Sequence, residues 1–236
     1  MSSHQPQLQA PPYQQAHATQ RLAEAARYAL LRRLAPALRH NMAGALQPLN
    51  MMSALLEKRL RNPDPDIAGV VKNSSQLNKA SSEASKACMD VVTWLAPGSS
   101  DFMRVTQAIE EATQLVTTEL SFRGFTIVNN TPLLQLELSR SLTRTVFMAA
   151  LVALTDTASS PANVVLDARL DAQTLVLTIS LESTPGEPSG INTGEPLYRQ
   201  LEWADVEVLA DAESVQLVHT ADKAELRFAS RLVRLI

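Results

Sequence analysis

The sequence predicts an α+β protein: an N-terminal antiparallel helical hairpin followed by an α/β domain. Three observations predict it. From about residue 19 to 95 apolar residues recur every three or four positions, broken once by the turn NPDPD at 62–66. From residue 125 onward short runs with alternating polarity take over, as in strands with one buried face. The charge balance changes between the two regions: residues 1–104 hold 12 Lys and Arg against 7 Asp and Glu, net +5, and residues 105–236 hold 9 against 17, net −8. The resulting division is a tail over 1–18, a hairpin over 19–96 and an α/β domain over 102–236.

Residues 1–18, MSSHQPQLQAPPYQQAHA, are polar and proline-containing and read as a flexible tail. The first helix is expected over about 19–61, with Leu31, Leu34, Leu38, Met42, Ala45, Leu49, Met52 and Leu56 as its apolar stripe. Pro36 and Pro48 interrupt its hydrogen-bond ladder and are expected to bend it on both sides of residue 40. Asp66 caps a second helix over about 66–95, whose inward positions read as Ile67, Val70, Val71, Ser74, Leu77, Ser81, Ala84, Cys88, Val91 and Leu95. APGSSD, at 96–101, is a linker. A helix over 105–124 ends at Gly124, a strand follows at 125–129, and SRSLTRTVFMAALVALTDTA forms an apolar-rich helix. Two strands, NVVLDARLD and QTLVLTISLES, lead through the loop TPGEPSGINTGEP at 184–196 to a short helix around 197–203. A final hairpin, SVQLVHTADKAELRFASRLVRLI, has Asp222-Lys223 as its tip. A lone helical hairpin buries only one face of each helix, so a second copy is expected to complete a dimeric four-helix bundle about a two-fold axis.

His40, in LRRLAPALRHNMAGALQPLNMM, is the outstanding candidate residue. At about 100° per residue it falls about 180° from the midpoint of Leu38 and Met42, on the face opposite the apolar stripe. The residues about one turn away, Pro36, Ala37, Ala43 and Gly44, are small or compact, so the ring is open to approach. Its surroundings are basic: residues 21–40 contain Arg21, Arg27, Arg32, Arg33 and Arg39 against the single acid Glu24. An anionic partner fits this segment. An outward histidine on a solvated helix face, with arginines that merely keep that face wet, is the plain alternative.

Composition excludes several classes. Hydrophobic content of 45% and charged content of 19% describe an ordinary globular protein. No run approaches the roughly 18 apolar residues of a membrane span, and the Gln- and Pro-rich start lacks a signal-peptide pattern. The lone Cys88 allows no internal disulfide and fits a reducing cytoplasm. His4, His17, His40 and His219 lack metal-ligand spacing, so no metal site is expected. Nucleic acid is a poor partner for a chain of pI ≈ 5.8 with no aromatic-interleaved basic motif.

The order of these elements resembles the catalytic half of the bacterial sensor histidine kinase family over about residues 19–236. RHNMAGALQPL places His40 at the family's phosphoacceptor position. RTVFMAALVALTDTASSPANVVLDARL resembles the family's asparagine-rich nucleotide helix with its following strand, and LTISLESTPG resembles the strand entering the Asp-x-Gly nucleotide loop. The resemblance implies a dimeric helical bundle followed by an ATPase-like α/β sandwich.

The departures from the family imply that the sandwich is degenerate. The asparagines that hold Mg²⁺ align with Ala149 and Ala153, and alanine offers no oxygen to a hard cation. The adenine-reading aspartate falls near Ser183, the next glycine is replaced by Pro185, and Gly186, Gly190 and Gly194 do not form a phosphate cradle. Asn41 stands where the kinases carry an acidic base. A chain that retains the histidine without the ATP machinery is similar to the histidine phosphotransferases built on a kinase scaffold. The implied partners are response-regulator receiver domains, which supply their own Mg²⁺, so no cofactor is expected in this chain. Around His40, the candidate partner-binding residues are Arg32, Arg39, Asn41, Ala43 and Gly44, with Arg39 placed to steady the transferring phosphoryl charge. Two other functions remain compatible: a non-catalytic adaptor that scaffolds regulators, and an ATP-dependent kinase with a divergent nucleotide site.

Overall fold

The computed structural model describes residues 12–95, 101–186 and 200–235. Helix α1 (Pro12–Leu60) is 49 residues and about 73 Å long, and it returns through a turn into α2 (Ile67–Leu95). Helix α1 runs unbroken through Pro36 and Pro48. It also begins seven residues before the expected start, so residues 12–18 belong to the helix rather than to a tail. Pro12 fits a first-turn position, where its missing N–H costs no bond, and Gln and Ala are good helix formers. The expected tail over 1–11 and the linker residues 96–100 lie outside the described residues. Asp66 accepts a hydrogen bond from the Gly69 N–H at 3.1 Å, which caps α2 as expected.

The hairpin interface uses a narrower stripe of α2 than the periodicity suggests. Asn73, Ala80 and Ala84 are buried against α1, with Val70, Leu77, Cys88 and Val91 half-buried beside them. Ile67, Val71, Ser74, Ser81 and Leu95, expected inward, are exposed. The reason is geometric: one neighbouring helix covers only part of a wide apolar arc, and the remainder of α2 faces outward. On α1 the whole expected stripe is at least half-buried, and Leu34 and Leu38 are fully so.

The α/β domain opens with β1 (Phe102–Arg104) and α3 (Val105–Phe122), which Gly124 ends at φ 85°. Strands β2 (Phe125–Asn129) and β3 (Leu136–Ser139) precede a helix that starts as α4 (Arg140–Leu142), widens into a π-helical turn over Thr143–Phe147 and continues as α5 (Met148–Thr157). The long strands β4 (Ala162–Asp171) and β5 (Thr174–Ser183) form a hairpin with ten paired positions. After them come α6 (Trp203–Ala212), β6 (Gln216–His219), β7 (Lys223–Phe228), a 3₁₀ turn over Ser230–Leu232, and β8 (Val233–Leu235).

The main sheet has the order β2-β4-β5-β7-β6, with β2 parallel to β4 and the other pairs antiparallel. One face carries Val164, Leu166, Leu177, Ile179, Leu226 and Phe228, all buried beneath the helices. The opposite face is mainly polar around Val165 and the buried Val176, and there Glu225 binds Arg169 at 3.1 Å and Arg227 at 2.6 Å.

Three details differ from the sequence reading. The short helix expected around 197–203 begins instead at Trp203, where Glu202 and Asp205 form a reciprocal cap, and most of the expected span lies outside the described residues. Lys223 belongs to β7, so the final turn is Thr220–Asp222, closed by the Thr220 N–H on the Lys223 carbonyl at 2.8 Å. The C-terminal alternation does not extend that hairpin. Strand β8 pairs with β3 in a separate sheet of order β1-β3-β8. Period-two alternation identifies a strand but not its partner.

Candidate functional site

His40 is exposed, near the middle of α1 in helix numbering and on the face opposite the hairpin contact. Asn41, Ala43 and Gly44 are exposed with it, and a side-chain carbon added at Gly44 would meet nothing within 4 Å. The surroundings of the ring are therefore as open as the small residues predict. The five flanking candidates do not form one cluster. Arg32 folds back along α1: its guanidinium donates to the Tyr28 hydroxyl at 3.0 Å and lies 5.6 Å from the centre of that ring. Arg39 and Ala43 lie on the flank of α1 between His40 and the hairpin contact, where they border an apolar groove of about 460 Å³ with Leu31, Leu38, Met42, Leu46, Val91 and Leu95. Asn41 and Gly44 stay exposed on the helix beside His40.

Beside that groove Leu46, Met89 and Val92 are exposed, and at the far end of the hairpin so are Ile67 and Val71.

The arginines before His40 have partners the sequence did not reveal. Arg33 lies between α3 and α5. It donates to both carboxylate oxygens of Asp156 at 2.9 Å and to Glu119. Arg123 completes the cluster through Asp156 at 2.7 Å and the Thr155 carbonyl at 2.6 Å. Burial by itself lowers the pKa of Arg33, but hydrogen bonds and charge from Asp156 and Glu119 outweigh it and raise the value, so the guanidinium stays charged. Arg27 binds Glu213 after α6 at 2.6 Å. For Arg27 and Arg33 the anionic partner is thus the acidic half of the same chain. The signal was present in the opposite net charges of the two halves, but sequence offers no way to pair them.

The positions aligned with a nucleotide site are closed or bare. Ala149 and Ala153 are completely buried, as is almost all of α5, in the same core that takes Leu30, Leu34 and Leu38 of α1. Ser183 ends β5 in an exposed position, Pro185 is exposed after it, and Gly190 and Gly194 lie outside the described residues. Arg144 is buried in the π-helical turn, bonded to Glu111 and Thr93 and stacked 4.9 Å from the Trp94 ring. Among the described residues no group of three His, Cys, Asp or Glu side chains is placed to hold a metal ion. No helix among them is long and apolar enough to cross a membrane.

No protein-family model matches the sequence, and no curated protein matches it. Solved structures to which the chain is similar include histidine kinases. The Acinetobacter baumannii histidine kinase AdeS has 14% identity and a TM-score of 0.43, over 77% of this chain and 96% of that one. A histidine kinase from Burkholderia phymatum has 16% identity and a TM-score of 0.41, over 83% and 96%. The mycobacterial sensor histidine kinase MprB has 15% identity and a TM-score of 0.40, over 58% and 99%.

Proposed function

We propose that this protein is a histidine phosphotransferase of a two-component phosphorelay, which carries a phosphoryl group between receiver-domain aspartates on His40 without binding ATP. The observation that carries the reading is the exposure of His40 in open space on α1, in a chain whose Ala149 and Ala153 are buried and offer no oxygen to a metal. Histidine suits the task because its unperturbed pKa, about 6.5, leaves a neutral nucleophilic nitrogen near pH 7.

In the step proposed, that nitrogen attacks the phosphorus of an aspartyl-phosphate. The N–P bond forms as the P–O bond to the aspartate breaks, and the carboxylate leaves with the electron pair. The proton on the other ring nitrogen passes to solvent, and the reverse step loads the next receiver. Magnesium and its acidic ligands come with the receiver. This chain contributes an accessible ring on a continuous helix, and docking of the receiver in line with it lowers the entropic part of the barrier. The apolar side chains exposed along the hairpin, Leu46, Met89 and Val92 among them, support a homodimer, since a second copy would cover them.

The test is incubation with a phosphorylated receiver domain. His40 should acquire acid-labile, base-stable phosphate, and His40→Ala should acquire none. As an exposed helix position, His40→Ala should change stability by no more than about 0.5 kcal/mol. Transfer by a folded His40→Ala variant at the wild-type rate would end this reading and leave the adaptor in its place.

A further inference from the structure

The hairpin and the α/β domain are joined in two regions, one at Arg33 and one where Arg27, Glu213, Thr93, Trp94 and Arg144 line a shared pocket. Arg33 of α1 enters the cluster of Asp156, Glu119 and Arg123 at the C-terminal ends of α3 and α5, where the Asp156 side chain is only 6% exposed. Arg27 reaches Glu213 beyond α6. From the other helix, Thr93 and Trp94 hold Arg144 in the π-helical turn. Between the two α1 points, Leu30 is buried in the common core, and Leu34 is buried just beyond Arg33. Two bodies joined in one region can swing about it, whereas the Arg33 cluster, at the other end of the helix that carries Arg144, is a second attachment that removes that freedom. The ion cluster is charge-balanced, with two arginines and two acids, and is largely shielded from solvent, so salt screens it weakly.

The phase of α1 ties this junction to His40. Arg33 and His40 are seven residues apart, which on a continuous helix is two turns: about 20° in rotation and about 10.5 Å in rise. The side of α1 that delivers Arg33 to the domain therefore also carries His40.

We propose that the Arg33–Asp156 cluster locks the α/β domain in place as a fixed flank of His40, so that the domain does not swing against the hairpin. Only the naming of His40 as the reactive residue rests on the proposed function. The lock itself is read without phosphate, so its failure and the failure of phosphotransfer are separate results.

The experiment measures a distance distribution between spin labels at Gln47→Cys on α1 and Asp171→Cys at the β4–β5 turn, both exposed, in a Cys88→Ser background. The full chain is used, in mixed assemblies with unlabelled chain so that each carries one labelled pair. The expected result is a single narrow peak, unchanged by 1 M NaCl. Arg33→Met should lose that peak to a broad distribution, and Arg33→Lys, which keeps the charge but not the two-oxygen grip on Asp156, should give an intermediate width. A broad or two-peaked distribution in the otherwise wild-type chain overturns the proposal whether or not the variants fold. A folded Arg33→Met with the same narrow peak overturns it as well.

Discussion

Truncating Leu34 tests the docking of α1 on the α/β domain directly. Leu34 has 0% exposure, and its neighbours one turn away, Leu30 and Leu38, have 2% and 8%. All three belong to the core that includes α3, α5 and α6. Leu34→Ala removes three carbons, worth about 2.4 kcal/mol at about 0.8 kcal/mol each. The cavity left between two rigid bodies adds to that, so a total of about 3 kcal/mol is expected. For a chain of this size, about 2–4 °C per kcal/mol gives a fall in Tm of about 6–12 °C. The assay is urea unfolding followed by circular dichroism, with all variants at one protein concentration so that the proposed association enters each measurement alike. Leu22→Ala, at a position 57% exposed on the same helix, is the control and should lie within about 0.5 kcal/mol of wild type. If Leu34→Ala costs less than about 1 kcal/mol and matches the control, α1 is not seated in that core and the reasoning fails.

Other outcomes follow from the same structure. Leu46→Lys, at an exposed position, should shift sedimentation toward monomer with helix content retained, whereas Leu49→Lys and Met52→Lys, half-buried against α2, should also lower helix content; an unchanged sedimentation profile for Leu46→Lys would count against the dimer. Adding ATP with Mg²⁺ should leave Tm unmoved, and a saturable rise would restore the kinase reading. Glu225 feels burial, which raises its pKa, but Arg169 and Arg227 outweigh this and hold it below the ordinary carboxylate range. Its contribution is therefore present above the unfolded carboxylate pKa of about 4.3 and is lost as pH falls through the lower folded value. Glu225→Gln should be less stable than wild type at neutral pH and should lose less stability on acidification to pH 3, as measured by urea midpoints.

The sequence by itself determined the class of the protein and its candidate residue. Helical and strand periodicities come from local backbone geometry, so the hairpin, α3, the β4–β5 pair and the outward face of His40 were all legible in one dimension. The alanines at 149 and 153 were legible too, and their burial in α5 is what the structure adds. Tertiary structure decided what depends on partners distant in sequence. The five arginines before residue 41 read as a site for an external anion, yet Arg33 meets Asp156, 123 residues away, and Arg27 meets Glu213, 186 residues away. Strand β8 left its apparent hairpin to pair with β3, and the inward face of α2 narrowed to the stripe that α1 touches. Each of these choices is set by which surfaces meet once the chain is compact, and the energy of such a contact belongs to the pair rather than to either residue.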